Sequence, residues 1–293
     1  MKQAVFDIGS NTIRLCIYEV QGQQRKLILN ERVMARLGSK TKDGVMTDEG
    51  INAACDAIIT LKDYLKQQPA DKVLAFATAA VRNVRNTEAV VDAIRERTGL
   101  AVDVLSGEEE ATLTFLGASR ERDIRDGVIA DIGGGSTELI LVKNGAVTDT
   151  VSFPIGSLTA FVRFVNHRPA EKSDIHAIRE HVKGLLSGHF APETCGEVLY
   201  GIGGAARAAI ELEKLLYPRA VGAIETLETL LSRLLADEEL AEESILKASP
   251  ERLDTALPGV AILCEVAHFF GCEKLDICHG GVREGYLEKN VAR

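Results

Sequence analysis

The apolar positions of the chain change period several times, and each change marks an element. AVFDIG and NTIRLCIYEV flank a Gly9–Ser10–Asn11 turn and are rich in β-branched and apolar residues, which predicts a strand, a tight turn and a second strand. From Gly50 to Gln67 the apolar residues Ile51, Ala54, Cys55, Ile58, Ile59 and Leu65 fall at helical spacing, and KVLAFAT follows as a short buried strand. A helix then runs from about Thr87 through Val90, Val91 and Ile94 to a stop at Gly99, after which LAVDVLS reads as another strand. Ser106 with Glu109 makes a capping box that opens a helix over LSGEEEATLTFLGAS. Capping gives Glu109 a structural task; Glu108 and Glu110 are left without one, although acids in a first turn also favour the helix dipole.

The segment VIADIGGGSTELILV, Val128 to Val142, repeats the plan of the first hairpin. Laid over each other, the two copies match Asp7 with Asp131, Ile8 with Ile132, Gly9 with Gly133 and Leu15 with Leu139, and Arg14 falls opposite Glu138. An internal repeat of this kind predicts two halves of one design. The second half continues with a strand near TVSFPIGS, helices between Leu158 and Gly188, the strand EVLYGIGG and a helical region to about Leu246. Glycine pairs at Gly203–Gly204 and Gly280–Gly281 mark strand-to-helix junctions. The charged stretch SRERDIRDG is the expected boundary, giving α/β domains over 1–124 and 125–293, with the last helix free to pack back on the first domain.

Composition narrows the function classes. The 293 residues are 46% hydrophobic and 26% charged, enough for two domains of ordinary size. The net charge of −9 disfavours a nucleic-acid binder with a broad basic face but leaves small anions open, because backbone N–H groups, a few arginines and a divalent cation supply a local positive field. The chain enters a strand-like run at once with no signal-peptide pattern, and ALPGVAILCEVAHFFG is interrupted by Pro258, Glu265 and His268, so a cytoplasmic location without a membrane span is expected. Six scattered cysteines (Cys16, Cys55, Cys195, Cys264, Cys272, Cys278) show no zinc spacing and read as reduced core residues.

Glycine costs about 0.5–1 kcal/mol inside an element, so three in a row demand a sharp turn or a close approach. Glycine-rich turns after strands present N–H groups that bind phosphate oxygens. Asp7 and Asp131 sit just before the turns, where a carboxylate holds Mg²⁺ directly or through water, and Glu138 adds a second acid near Asp131. Arg14 and Arg82, at strand ends, are the cations aimed at phosphate.

With these residues assembled, the motifs FDIGSNTIRL, ATAAVRNVRN, LSGEEEATLTFLG, ADIGGGSTELI, GIGGAARA and GGVREGYL, in that order, make the sequence resemble the exopolyphosphatase and guanosine pentaphosphate phosphohydrolase family, in its short two-domain form. The resemblance implies two ribonuclease H-like domains of the actin-like superfamily around a central cleft. It implies a hydrolase that cleaves terminal phosphoanhydride bonds of inorganic polyphosphate or pppGpp, with Glu110 as the base that activates water. Asp131 and Glu138 are implied to hold the metal, and Ser10, Asn11, Arg14, Arg82, Gly133, Gly134, Gly135 and Ser136 to surround phosphates, joined by the Gly203–Gly204 pair; a homodimer fits the same family. Two positions depart from the pattern: Thr112 stands where relatives commonly carry Arg, and Ala205 where they carry Thr, each expected to remove a polar group near the site. A small-molecule kinase of the same superfamily and a non-hydrolytic polyphosphate or alarmone sensor are the alternatives, separated from the hydrolase by acceptor dependence and by phosphate release.

Overall fold

A computed structural model describes residues 1–22, 24–191 and 196–291; Cys195 lies outside the described residues. The chain divides into two compact units, Met1–Leu113 with Tyr286–Arg293, and Thr114–Gly285.

In the first unit β1 (Lys2–Ile8), β2 (Ile13–Gln21) and β3 (Gln24–Val33) form an antiparallel meander, followed by the small pair β4 (Thr41–Lys42) and β5 (Val45–Met46) and by α1 (Asp48–Gln67). Then come β6 (Lys72–Ala77), the single turn α2 (Ala79–Arg82), α3 (Thr87–Thr98), β7 (Asp103–Val104) and α4 (Gly107–Ser119). β6 joins β1, and β7 joins β6, in parallel, so the sheet order is β3-β2-β1-β6-β7. Local chemistry sets the ends: the Thr47 hydroxyl caps α1 by accepting from the Gly50 N–H, and Gly99 stops α3 at φ 70, a left-handed conformation that glycine adopts without strain. The capping box at α4 is present, the Ser106 N–H donating to Glu109 Oε2 and the Glu109 N–H to Ser106 Oγ, each at 3.1 Å.

The second unit repeats the arrangement. β8 (Gly127–Ile132), β9 (Thr137–Lys143) and β10 (Ala146–Phe153) form the meander, α5 (Ser157–Phe164) and α6 (Lys172–His189) follow, and β11 (Val198–Ile202) leads into α7 (Gly203–Leu216). The helices α8 (Ile224–Leu234), α9 (Glu238–Ala248) and α10 (Ala256–Phe270), strand β12 (Lys274–Ile277) and α11 (Val282–Val291) complete the chain. The sheet order, β10-β9-β8-β11-β12, is that of the first unit position for position. The Tyr286 ring, which belongs to the first unit, packs at 4.9 Å from Phe76, and its hydroxyl donates to Asp103 Oδ2 at 2.5 Å.

Three elements differ from the sequence reading for physical reasons. β3 was not anticipated, because it is a sheet edge whose charged residues, among them Arg25, Lys26, Glu31 and Arg32, break the alternation. The strand expected over LAVDVLS shrinks to the two residues of β7, and the apolar run near the C-terminus is α10, twelve of whose fifteen residues are buried. A helix that is apolar all round carries no amphipathic period to read. No described helix is long and apolar enough to cross a membrane.

Candidate active site

The candidate side chains of each unit lie at the carboxyl ends of its own parallel strands, where open α/β sheets bind ligands. In each unit the first hairpin turn is closed by one hydrogen bond: Gly9 N–H to the Thr12 carbonyl at 3.1 Å, and Gly133 N–H to the Ser136 carbonyl at 2.9 Å. The N–H of Gly133 is therefore committed to the turn.

The carbonyls of the second turn are bound from behind. Ser157 N–H donates to Gly133 O at 2.9 Å, Leu158 and Thr159 N–H to Gly134 O at 2.9 and 3.0 Å, and the Thr159 hydroxyl to Gly135 O at 3.3 Å. In a trans peptide the carbonyl and the next N–H point in opposite directions. The N–H groups of Gly134, Gly135 and Ser136 thus face the side away from α5, the arrangement of an anion-binding nest. Gly156 permits the approach, since a Cβ there would stand 2.6 Å from Gly133 O. The first turn is built alike: Gly38 N–H donates to Ser10 O and Arg36 N–H to Asn11 O, both at 2.9 Å, which turns the Asn11 and Thr12 N–H groups outward.

The repeat reverses sign beside the turns. Asp7 stands opposite Arg14 in the β1–β2 register, whereas Asp131 stands opposite Glu138 in β8–β9. Opposite residues of an antiparallel pair have Cβ atoms about 5 Å apart, so the first place balances its charges while the second concentrates two carboxylates. Arg14 also donates from Nη1 to Asn30 Oδ1 at 2.7 Å, and Glu138 Oε1 accepts from the Ser152 hydroxyl at 2.9 Å. Among the described residues no group of three or more His, Cys, Asp or Glu comes together as a metal-holding set. Mg²⁺ is ordinarily bound through one or two carboxylates plus substrate phosphates and water, and the Asp131–Glu138 pair fits that donor set.

The glycine pair at the start of α7 serves the same end of the sheet. Gly203 has φ +84, and a Cβ on it would lie 2.5 Å from Asp131 Oδ1; a Cβ on Gly204 would lie 1.6 Å from Nη2 of Arg252. Arg252, Gly156 and Thr159 adjoin these glycine turns and were missed by sequence reasoning. Arg252 sits in a charged surface stretch with no motif, and Gly156 follows a strand as many turn glycines do. Ala205 is 1% exposed, and a Cβ on Gly259 of α10 would stand 2.9 Å from its methyl group. Thr112 is exposed on α4.

In the first unit Glu110 projects from the first turn of α4 and Arg82 ends α2. Arg82 Nη1 donates to Glu110 Oε2 at 2.6 Å and to the Leu105 carbonyl at 3.0 Å. Burial pushes the Glu110 carboxyl above its ordinary value, Arg82 pulls it down, and Asp7 adds to the rise. The described cysteines Cys16, Cys55, Cys264, Cys272 and Cys278 are buried, and burial pushes the Cys278 thiol up to about 12, so Cys278 is not a nucleophile at neutral pH.

A duplicated unit of this topology, with a glycine turn and an acid at the end of its first strand, is a two-domain fold of the actin-like kind. The chain belongs to the Ppx/GppA phosphatase family, whose model matches residues 16–293. It is 26% identical to a guanosine-5'-triphosphate,3'-diphosphate pyrophosphatase of Photobacterium profundum over 99% of this chain and 59% of that protein. In fold it matches the Aquifex aeolicus Ppx/GppA family member (TM-score 0.82, 24% identity, 100% of this chain and 98% of that one). It also matches an exopolyphosphatase from Cytophaga hutchinsonii (TM-score 0.79, 21% identity, 100% and 98%). The chain spans 47 to 59% of the length of the curated relatives it matches.

Proposed function

We propose that this protein is a Mg²⁺-dependent phosphohydrolase that removes the terminal phosphate of inorganic polyphosphate or of pppGpp. The observation that carries the reading is the second turn, whose carbonyls are bound from behind so that three consecutive N–H groups face outward beside two carboxylates. Family membership supports it, with relatives named as a pyrophosphatase of this nucleotide and as an exopolyphosphatase.

Phosphoryl transfer to water asks a protein mainly for positioning and for neutralisation of equatorial charge. Gly134, Gly135 and Ser136 hold the terminal phosphate oxygens through backbone N–H groups, and Arg252 adds a cation beside Gly204. Asp131 and Glu138 would hold the metal, which supplies charge neutralisation for the leaving group. Glu110 takes the proton of the attacking water. Asp7, with Arg14 opposite, keeps the first turn charge-balanced for Ser10 and Asn11 to meet the substrate.

Phosphate release from tripolyphosphate, long polyphosphate, pppGpp and ATP, with magnesium and no acceptor, tests the reading. Release from one of the first three is expected; transfer only to a hydroxyl acceptor would make the protein a kinase, and binding without release would make it a sensor. Substitution Arg252→Ala should raise KM for the preferred substrate about tenfold, the size of one charge-assisted hydrogen bond, and an unchanged KM would remove Arg252 from the site. The pH profile has a defined sign. Glu110 must be ionised to act as base and its carboxyl is raised from 4.5, so kcat/KM should fall on acidification through a pH above that value. An acid limb at or below 4.5 would contradict the assignment.

A further inference from the structure

The fold gives Arg82 a second occupation beside the phosphate contact expected of it. Both bonds of its guanidinium come from one nitrogen: Nη1 reaches Glu110 Oε2 at 2.6 Å and the Leu105 carbonyl at 3.0 Å. The pair is largely shielded, with side-chain exposures of 20% for Arg82 and 16% for Glu110. Among the described residues these are the hydrogen bonds that the Arg82 side chain makes, and Nε and Nη2 lie on a different edge of the same plane. That edge carries two parallel N–H donors, the fork that matches two oxygens of a phosphate.

We propose that Arg82 is a positioning residue that couples base to substrate: its Nη1 corner fixes Glu110 Oε2, and its Nε–Nη2 edge takes two oxygens of the terminal phosphoryl group. The inference rests on the reading of Glu110 as the base. A single planar, rigid cation then sets the angle between the carboxylate and phosphorus, which in-line attack by water requires. The Leu105 carbonyl is the third anchor; it lies between β7 and α4, on the chain that delivers Glu110, and stops the guanidinium from rotating about its long stem. An arginine that served only as a phosphate clamp would need neither the carboxylate nor this carbonyl. Lysine, a point charge without edges, preserves the cation and loses the coupling.

The test is a double-mutant cycle on the full chain with tripolyphosphate and magnesium, reading kcat and KM separately for wild type, Arg82→Lys, Glu110→Gln and the double variant. Arg82→Lys is expected to lower kcat about a hundredfold, the scale of a small misplacement at the reacting centre, with a smaller rise in KM. The double variant is expected to turn over as slowly as Glu110→Gln alone, because what Arg82 gives to kcat passes through the base. Losses in kcat that multiply, or an Arg82→Lys change confined to KM, overturn the coupling and leave Arg82 a phosphate ligand. Arg82→Ala assayed with added guanidinium is the second route: partial recovery of kcat is expected, and a folded variant that the free cation does not rescue contradicts the proposal. Wild type that releases no phosphate sinks the hydrolase reading itself, a result distinct from additive losses in an active enzyme.

Discussion

Replacing Glu110 by glutamine should reduce phosphate release by about 10²–10⁴-fold, the range that a positioned general base contributes. The shape of the side chain is kept, and the amide oxygen can still accept from Arg82 Nη1, which now bonds Glu110 Oε2 at 2.6 Å. The carboxyl is already raised by burial, so a neutral group at this place relieves a desolvation penalty while it removes the negative charge that faces Arg82. The melting temperature should therefore shift little while turnover collapses, and KM should hold or fall. Thermal melts alongside steady-state phosphate release separate the two effects. Turnover near that of wild type in a folded Glu110→Gln protein would end the case for this base.

A single methyl group at position 156 should damage the site from behind. Gly156 has φ −131 and ψ −176, a conformation open to alanine, so any loss on Gly156→Ala reports contact and not backbone strain. The new Cβ would stand 2.6 Å from Gly133 O and 2.7 Å from the Gly134 carbonyl carbon, both backbone atoms with no rotamer to yield. Overpacking of this kind costs about 1–3 kcal/mol. The turn is tied to α5 by the Ser157, Leu158 and Thr159 N–H groups, so relief must come by moving the nest, and kcat/KM should fall by about tenfold or more. Gly184→Ala in α6 is the control, because a Cβ there meets nothing within 4 Å and alanine favours a helix interior. If Gly156→Ala melts and turns over like wild type, the turn is not held in the manner described.

Much of the scaffold was legible because it is written in short-range patterns. The α1 and α3 periods, the stop at Gly99 and the Ser106–Glu109 capping box each involve neighbours within a few residues, and each appears in the fold. The duplication was legible for the same reason, since a turn and its two strands form one contiguous stretch. The capping box also separates Glu109 from Glu110 by assigning one acid to the helix end. Patterns failed where burial depends on distant partners. β3 reads as polar until it is seen as a sheet edge, and α10 has no period because α5, α6, α7 and α8 surround it.

The sequence by itself determined the two glycine turns and the reversal from Asp7–Arg14 to Asp131–Glu138, because each is fixed by local chemistry or by strand register; the choice of Glu110 came from the family resemblance. Only the tertiary structure decided what those groups do to one another. It placed the first turn of α5 behind the Gly133–Ser136 loop, which orients the N–H groups. It set Arg252 on Gly204, buried Ala205 against Gly259, and bonded Arg82 to Glu110. These contacts join residues far apart in the chain, and no local propensity encodes the direction in which a bound carbonyl turns the amide that follows it.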